Sequence, residues 1–264
     1  MFSMNQITVT GIIISISPIK EYDRRVVILT KEQGKITAFA NGARRPNSPL
    51  IGAVNPFSFG DFVLYSGSSS YTMKSAKISN YFGELRGDLE GTYYGFYFLE
   101  VADYFSKEGN DEKELLKLLY VTLKALTNPK IPNELIRCIF ELKSLAINGM
   151  APEVFVCYKC GDKEKEKHFS VDTGGLICEG CFMGVKKQVD LDRLNGRFVE
   201  RGLSLHPSTL YAMQHIVSSK MENLYTFNLS EEVLAELVEL MRKIYWIYVD
   251  KKFNSLEALN TIIE

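Results

Sequence analysis

The stretch ITVTGIIISISPI, Ile7–Ile19, decides how the first part of the chain folds. It is rich in β-branched residues, which favour a strand because their side chains pack well on a pleated surface. Gly11 lies near its start, and a glycine inside a strand is typical of a bulge or a sharp bend. The stretch therefore predicts one long, curved strand.

Four shorter strands are predicted after it. Arg24–Thr30 and Lys35–Ala40 flank the turn residues 31–34, and this pattern predicts a hairpin. Asp61–Tyr65 and Tyr71–Ile78 follow a long connection that contains two glycines and three prolines. Five strands, a curved first one and one long connection fit a closed barrel of the oligonucleotide-binding (OB) type, and an SH3-like barrel fits almost as well.

The hydrophobic period changes to that of helices after Asn80. The predicted helices cover about residues 88–105, the leucine-rich stretch 111–126, residues 132–149, residues 206–219, and the stretch from Ser230 to about Phe253. The predicted fold is therefore α+β and multidomain, with an OB-type barrel in residues 1–80 and an α-helical domain in residues 81–264.

Four of the five cysteines form two pairs, Cys157-x-x-Cys160 and Cys178-x-x-Cys181, with seventeen residues between the pairs. This spacing is typical of a zinc ribbon, because two residues between ligands let a tight turn present both sulfurs to one tetrahedral ion. We therefore predict a ribbon inserted at about residues 154–185 that holds one structural zinc ion per chain.

Other uses of these cysteines stay open at this point. Disulfides would need an oxidising compartment. A thioredoxin-like redox pair, a redox-switched zinc site and a catalytic zinc are further alternatives, although four thiolates leave no open position for a substrate. Cys138 is interpreted as a buried small hydrophobe, and structural roles are expected for the three histidines, His168, His206 and His215.

Charge is divided unevenly along the chain. The whole chain has a formal net charge of −1, whereas residues 1–80 contain nine Lys or Arg against four acids. A basic module fused to an acidic one points to a polyanion partner for the first, although a merely solvated surface is the alternative. The composition, 46% hydrophobic and 24% charged, is globular.

Membrane and export segments are not expected. No apolar run approaches the ~20 residues of a membrane span. The first residues also lack the charged segment and apolar core of a secretory signal. We therefore expect a soluble, cytoplasmic protein.

Four stretches together resemble the bacterial RecO family of recombination mediators. They are GARRPNS at 42–48, LKSLAINGMAPEVFVCYKCG at 142–161, FSVDTGGLICEGC at 169–181, and KKFNSLEALN at 251–260. The resemblance implies a DNA-repair and recombination protein of the RecF pathway that acts in the cytoplasm at the nucleoid and is not an enzyme. It also implies binding to single- and double-stranded DNA, annealing of complementary strands, contact with the C-terminal tail of single-stranded DNA-binding protein, and loading of the RecA recombinase together with RecR.

Basic residues of the barrel are the candidates for DNA contacts, because phosphate contacts dominate nucleic-acid affinity. The candidates are Arg24, Arg25, Arg44 and Arg45, then Lys20 and Lys35, and then Lys31, Lys74 and Lys77. Tyr22, Phe39 and Tyr71 are candidates for stacking on bases, or else core residues. The chain has no G-x-x-x-x-G-K-[ST] motif, so no nucleotide cofactor is expected.

Two other functions remain alternatives. One is an enzyme, either zinc-dependent or a CxxC oxidoreductase, although no set of acid and base residues supports it. The other is an RNA-binding or transcription-associated module, because OB barrels and zinc ribbons also serve RNA.

Overall fold

A computed structural model describes residues 5–67, 70–163, 167–171, 174–183 and 203–263. The chain forms two compact units, one of Met1–Asn133 with Lys252–Glu264 and one of Glu134–Lys251. The bounds of these compact units differ from the predicted domains, residues 1–80 and 81–264, and the division into those two domains stays a prediction.

Five strands of the first unit close into a barrel. They are β1 (Gln6–Ile19), β2 (Asp23–Thr30), β3 (Gly34–Ala40), β4 (Phe59–Ser66) and β5 (Tyr71–Asn80). Their order around the barrel is β1-β2-β3-β5-β4, with β1 also paired to β4; only β3 and β5 pair in parallel. The predicted OB-type barrel is confirmed.

Gly11 lies where β1 passes between its two neighbours. It faces Thr30 in β2 and Gly60 in β4. A Cβ atom at Gly11 would lie 2.3 Å from the carbonyl oxygen of Leu29, so the glycine permits a close approach of two backbones. The sequence favours a bulge or a sharp bend near this glycine, and the register of β1 shifts shortly after it, between Ile13 and Ser15.

Both faces of the barrel strands are partly buried. The interior contains Val9 and Ile13 from β1, and Ala43, Leu50 and Val54 from the β3–β4 connection. On the opposite face, Ile12, Ile14, Val27 and Leu29 are buried as well. There α1 (Leu89–Phe105) packs on β1 and α2 (Lys113–Leu126) packs on β2.

The first unit ends with a helix from the end of the chain. Helix α6 (Asn254–Ile263) packs on α1, and the ring of Phe253 lies edge-on to that of Tyr97, with centroids 5.4 Å apart. The helix predicted to begin at Ser230 does follow this residue, as Glu231–Tyr248, but its predicted end at about Phe253 is wrong. The chain leaves the helix after Tyr248, because Phe253 is buried among aromatic rings of the first unit.

The second unit combines helices with a small sheet. Its helices are α3 (Asn133–Ile147), α4 (Pro207–Ser218) and α5 (Glu231–Tyr248), and its strands are β6 (Lys167–Ser170), β7 (Gly175–Cys178) and β8 (Leu203–Ser204). The ammonium group of Lys143, in α3, donates to the carbonyl oxygens of Val217 and Ser219 and so satisfies the end of α4. Among the described helices, none is long and apolar enough to cross a membrane.

Candidate metal centre and nucleic-acid interface

The four paired cysteines meet at one point. The sulfur atoms of Cys157, Cys160, Cys178 and Cys181 all lie within 4.8 Å of one another. Four thiolates around a tetrahedral zinc ion at about 2.3 Å would lie about 3.8 Å apart. The Sγ atoms of Cys160 and Cys178 are 3.6 Å apart, which fits a shared ion and is far longer than a disulfide bond of about 2.05 Å.

Two turns present these sulfurs. Gly161 has φ = +75°, a left-handed conformation that follows the first pair, and its N–H donates to the carbonyl oxygen of Cys157. Cys178 ends β7, which pairs antiparallel with β6, and Cys181 lies in the helical residues 179–183 that follow. The predicted ribbon geometry is thus present, although residues 164–166, 172–173 and 184–185 of the predicted range lie outside the described residues.

Hydrogen bonds separate the pKa values of the thiols. Burial alone would raise the pKa of Cys157, but hydrogen bonds from the backbone N–H groups of Cys178, Cys160 and Lys159 lower it to about 6. Hydrogen bonds with the thiols of Cys160 and Cys178 raise the pKa of Cys181 to about 12. The pKa of Cys157 favours a thiolate near neutral pH, whereas the raised pKa of Cys181 keeps that thiol protonated unless a cation compensates the charge.

Residues beside the cluster have structural partners. His168 Nε2 lies 2.5 Å from Glu179 Oε2, and the His168 ring stacks on Phe182 with centroids 3.9 Å apart. His206 accepts a hydrogen bond from the N–H of Ser208 at the start of α4. Among the described residues, the group that could hold a metal contains cysteines alone. Cys138 lies in α3 outside the cluster, and burial raises the pKa of its thiol well above the usual value.

In the barrel, the β3–β4 connection folds against the β1–β2 turn. The N–H of Arg44 donates to the carbonyl oxygen of Tyr22, and the N–H of Gly42 donates to Asp23 Oδ1 at 2.7 Å. The guanidinium of Arg45 lies 5.5 Å from the centroid of the Tyr22 ring. Tyr22, Arg44 and Arg45 are all exposed and are called the arginine cluster below.

A row of side chains crosses the outside of the barrel. Arg25 faces Phe39, Phe39 faces Thr72, and Thr72 faces Tyr65, so the four residues share one face of β2, β3, β5 and β4. The ammonium group of Lys74 lies 5.3 Å from the centroid of the Tyr65 ring. Arg25 and Phe39 of this outer row lie on the barrel wall formed by β2 and β3, the wall that OB folds use to bind oligonucleotides. Tyr65 and the adjacent Lys74 lie on β4 and β5.

Two of the predicted DNA-binding residues have hydrogen-bond partners within the protein. The guanidinium of Arg24 is half-buried and donates to Val54 O at 2.5 Å and to Asn55 Oδ1 at 3.2 Å. Lys35 donates to the carbonyl and carboxylate oxygens of Asp103, and lies four residues from Phe39 along β3, about 13 Å away. Lys35 is therefore bound to Asp103 at the other end of β3 from the outer-row residue Phe39.

The other candidates are distributed over the barrel. Lys20 is exposed in the β1–β2 turn, with φ = 51°, and Lys31 and Lys77 are exposed as well. Tyr71 packs against the barrel core, so its core interpretation fits better than stacking.

Sequence reasoning missed three residues of this surface. Asp23 fixes the connection to the turn, Asn55 receives the guanidinium of Arg24, and Tyr65 completes the outer row. In the sequence, Asp23 is simply an acidic residue next to two arginines. Tyr65 is aligned with Phe39 only through the register of β4 and β5. No local pattern could have found them.

Comparison with known proteins gives a match over nearly the whole chain. A family model described as "Recombination protein O N terminal" matches residues 4–82, and one described as "Recombination protein O C terminal" matches residues 86–257. The DNA repair protein RecO of Acetivibrio thermocellus is 30% identical over 261 residues, which cover 98% of each chain. The DNA repair protein RecO of Alkaliphilus metalliredigens is 31% identical over 244 residues, 92% of this chain and 94% of the relative.

Both models and both relatives name one family, and the matches extend through the barrel, the helices and the cysteine cluster. The chain therefore belongs to the RecO family of DNA repair proteins.

Proposed function

We propose that the protein binds single- and double-stranded DNA, anneals complementary strands, and helps load the RecA recombinase onto strands coated by single-stranded DNA-binding protein. RecR and the C-terminal tail of the single-stranded DNA-binding protein are its proposed partners. Its proposed place is the RecF pathway of homologous recombination, in the cytoplasm at the nucleoid.

The arginine cluster is the single observation that carries this proposal. The guanidinium of Arg45 lies beside the exposed Tyr22 ring, and the exposed Arg44 is bonded to Tyr22 through its backbone N–H, so a phosphate and an unstacked base of one strand could be bound side by side here. Guanidinium groups suit phosphate because their planar donors match its oxygens. A sequence-independent grip on the backbone is what annealing requires, since both complementary strands must be held alike.

The outer row supports the same proposal. Arg25 and Lys74 supply charge, and Phe39 and Tyr65 supply ring surface on which bases could stack. Arg24 contributes indirectly, because its bonds to Val54 and Asn55 hold the end of the β3–β4 connection.

A single structural zinc ion in the cysteine cluster is also proposed. Four thiolates would close its coordination shell and leave no position for a substrate, so the ion would stabilise the ribbon. We propose that the protein acts without catalysing a bond cleavage.

Annealing of complementary DNA strands coated with single-stranded DNA-binding protein tests the proposal. We expect the protein to accelerate annealing, and to do so less when the partner lacks its acidic C-terminal tail. The double variant Arg44→Ala/Arg45→Ala should anneal slowly with either partner. Failure of the unaltered protein to accelerate annealing, or tighter binding to structured RNA than to DNA, would contradict the proposal.

A matched control removes two charges elsewhere. Lys113→Ala/Lys117→Ala takes two exposed lysines from α2, both paired with nearby acids. This control should anneal like the unaltered protein. Equal loss of annealing in both double variants would mean that total charge, and not the arginine cluster, is responsible.

A further inference from the structure

A cavity of about 500 Å³ lies in the first unit, apart from the arginine cluster and the outer row. Its walls are the last residues of the β3–β4 connection, the segment from Tyr81 through the 3₁₀ helix Gly83–Gly87, and the first turns of α1. The volume falls within the 300–1,000 Å³ range of sites for small ligands. The cavity is therefore large enough for one flat ring system.

Aromatic rings form much of the wall. Phe57 and Phe96 lie with ring centroids 4.8 Å apart, Phe82 is buried, and Tyr81 is 44% exposed. An aromatic wall of this kind favours a flat ligand that can stack, because every nucleobase has a face that stacks on an aromatic side chain.

Two polar groups of the lining lack partners. The hydroxyl of Ser58 is buried, with the residue 1% exposed, and makes no hydrogen bond in the described structure. The guanidinium of Arg86 is exposed and has no ion pair or hydrogen bond with any described residue. Arg86 is also the one charged side chain among the described residues of the lining. Since buried polar groups normally have partners, Ser58 marks a position where a ligand could supply one.

Backbone strain is concentrated in the same walls. In the described chain three non-glycine residues have positive φ, and two of them, Phe57 (φ = 70°) and Phe82 (φ = 48°), line this cavity. Such conformations are unfavourable for residues with a side chain and persist where the surrounding structure enforces them. Here they bring two aromatic side chains to the same cavity.

We propose that this cavity binds one unstacked nucleobase of a bound single strand, with the adjoining phosphate at Arg86. The inference rests on the proposed function, and the chain connects the two sites. The β3–β4 connection carries Arg44 and Arg45 near its start and ends at Phe57 and Ser58, and Arg24 fixes Val54 and Asn55 between them. A strand held at the arginine cluster has the cavity at the far end of the same connection.

Two substitutions test the cavity without disturbing the core. Tyr81→Ala and Arg86→Ala change exposed side chains, and each is measured with an oligothymidine 15-mer and an abasic strand of equal length. We expect Tyr81→Ala to weaken binding to the base-containing strand about tenfold, as for one lost stacking contact, and to leave the abasic strand unaffected. Arg86→Ala should weaken binding to both strands. The control Tyr211→Ala, which removes a tyrosine 70% exposed on α4, should change neither affinity.

Failure of this inference is distinguishable from failure of the proposed function. Suppose that Arg44→Ala/Arg45→Ala loses affinity for both strands, whereas Tyr81→Ala binds both strands like the unaltered protein. This result would overturn the proposal that the cavity binds a nucleobase and would leave the DNA-binding proposal standing.

Crosslinking with a strand that contains one 4-thiothymidine gives the second measurement. We expect adducts within residues 55–58 or 81–86, and adducts confined to Tyr22 and Phe39 would overturn the inference.

Free thymidine 5′-monophosphate distinguishes the two sources of such a base. We expect it to compete with the strand only weakly, because the strand is also held at the arginine cluster. Binding of the free nucleotide as tight as that of the strand would overturn the proposal in favour of a free-nucleotide site.

Discussion

Arg24 and Arg25 are neighbours in β2, and their guanidinium groups lie in different surroundings. Arg24 donates to a backbone carbonyl of the β3–β4 connection, whereas Arg25 is exposed and has one long contact, 3.4 Å, with Thr37 Oγ1. Successive residues of a strand point to opposite faces. Of these two adjacent arginines, one therefore stabilises the fold and the other lies on the surface.

A matched pair of substitutions separates these roles. Arg24→Met keeps the apolar stem but leaves Val54 O unpaired, and should lower the free energy of unfolding by about 1.5–3 kcal/mol. Arg25→Met should change it by no more than about 0.5 kcal/mol and should weaken DNA binding. Urea unfolding measures the first effect and a binding titration the second; equal stability of the two variants would contradict the assignment.

Gly11 is the residue that lets the backbones of β1 and β2 approach closely. In Gly11→Ala the new methyl group would lie 2.3 Å from a backbone oxygen that cannot move independently. We predict a loss of about 1–3 kcal/mol in the free energy of unfolding. Gly52→Ala is the control, because a Cβ there meets no atom within 4 Å, and it should be neutral. A Gly11→Ala protein as stable as the unaltered one would mean that β1 and β2 do not approach as closely as described.

At the scale of elements, the cysteine ribbon was the most predictable part of the chain. The spacing of the cysteines was enough to predict that the four sulfurs meet, because two tight turns leave few other arrangements. The strands were also predictable, because β-branched runs and glycine turns are local signals. The end of α5 was not, since the apolar pattern continues to Phe253 and only long-range packing against Tyr97 ends the helix at Tyr248.

Removal of one ligand tests the ribbon. Cys178→Ser should reduce bound zinc from one ion per chain to well below one and should lower the stability of the second unit, because the ion contributes to folding. Metal analysis by mass spectrometry after purification without chelator measures it. Cys138→Ser is the control and should retain one ion, and an unaltered protein that contains no zinc would refute the metal assignment.

Zinc affinity should depend on pH in a defined direction. Protons compete with the metal for the sulfurs, so lowering the pH from 8 to 5 should weaken zinc binding progressively. The pKa of Cys181 near 12 means that binding at pH 8 releases at least its proton, and the pKa of Cys157 near 6 adds a further competing proton below that pH. Chelator competition at a series of pH values measures this, and a constant affinity would contradict the four-thiolate site.

At the scale of the whole molecule, the sequence indicated where the charge lies but not which charges are available. Nine basic residues against four acidic ones predict that residues 1–80 are the part that binds a polyanion. Arg24 and Lys35 belong to that excess, and both are bound to protein oxygens. The order of the strands determines which basic side chains lie close together. That order depends on the parallel pairing of β3 with β5, which no local sequence pattern encodes.

The central claim is that the barrel binds nucleic-acid backbones through the arginine cluster. A titration of single-stranded DNA affinity against salt concentration tests it most directly, with the unaltered protein and Arg44→Ala/Arg45→Ala compared. We predict weaker binding by the variant and a logarithmic salt slope shallower by about 1.4, because each lost phosphate contact on a single strand removes about 0.7. Identical affinity and slope in the two proteins would contradict the claim.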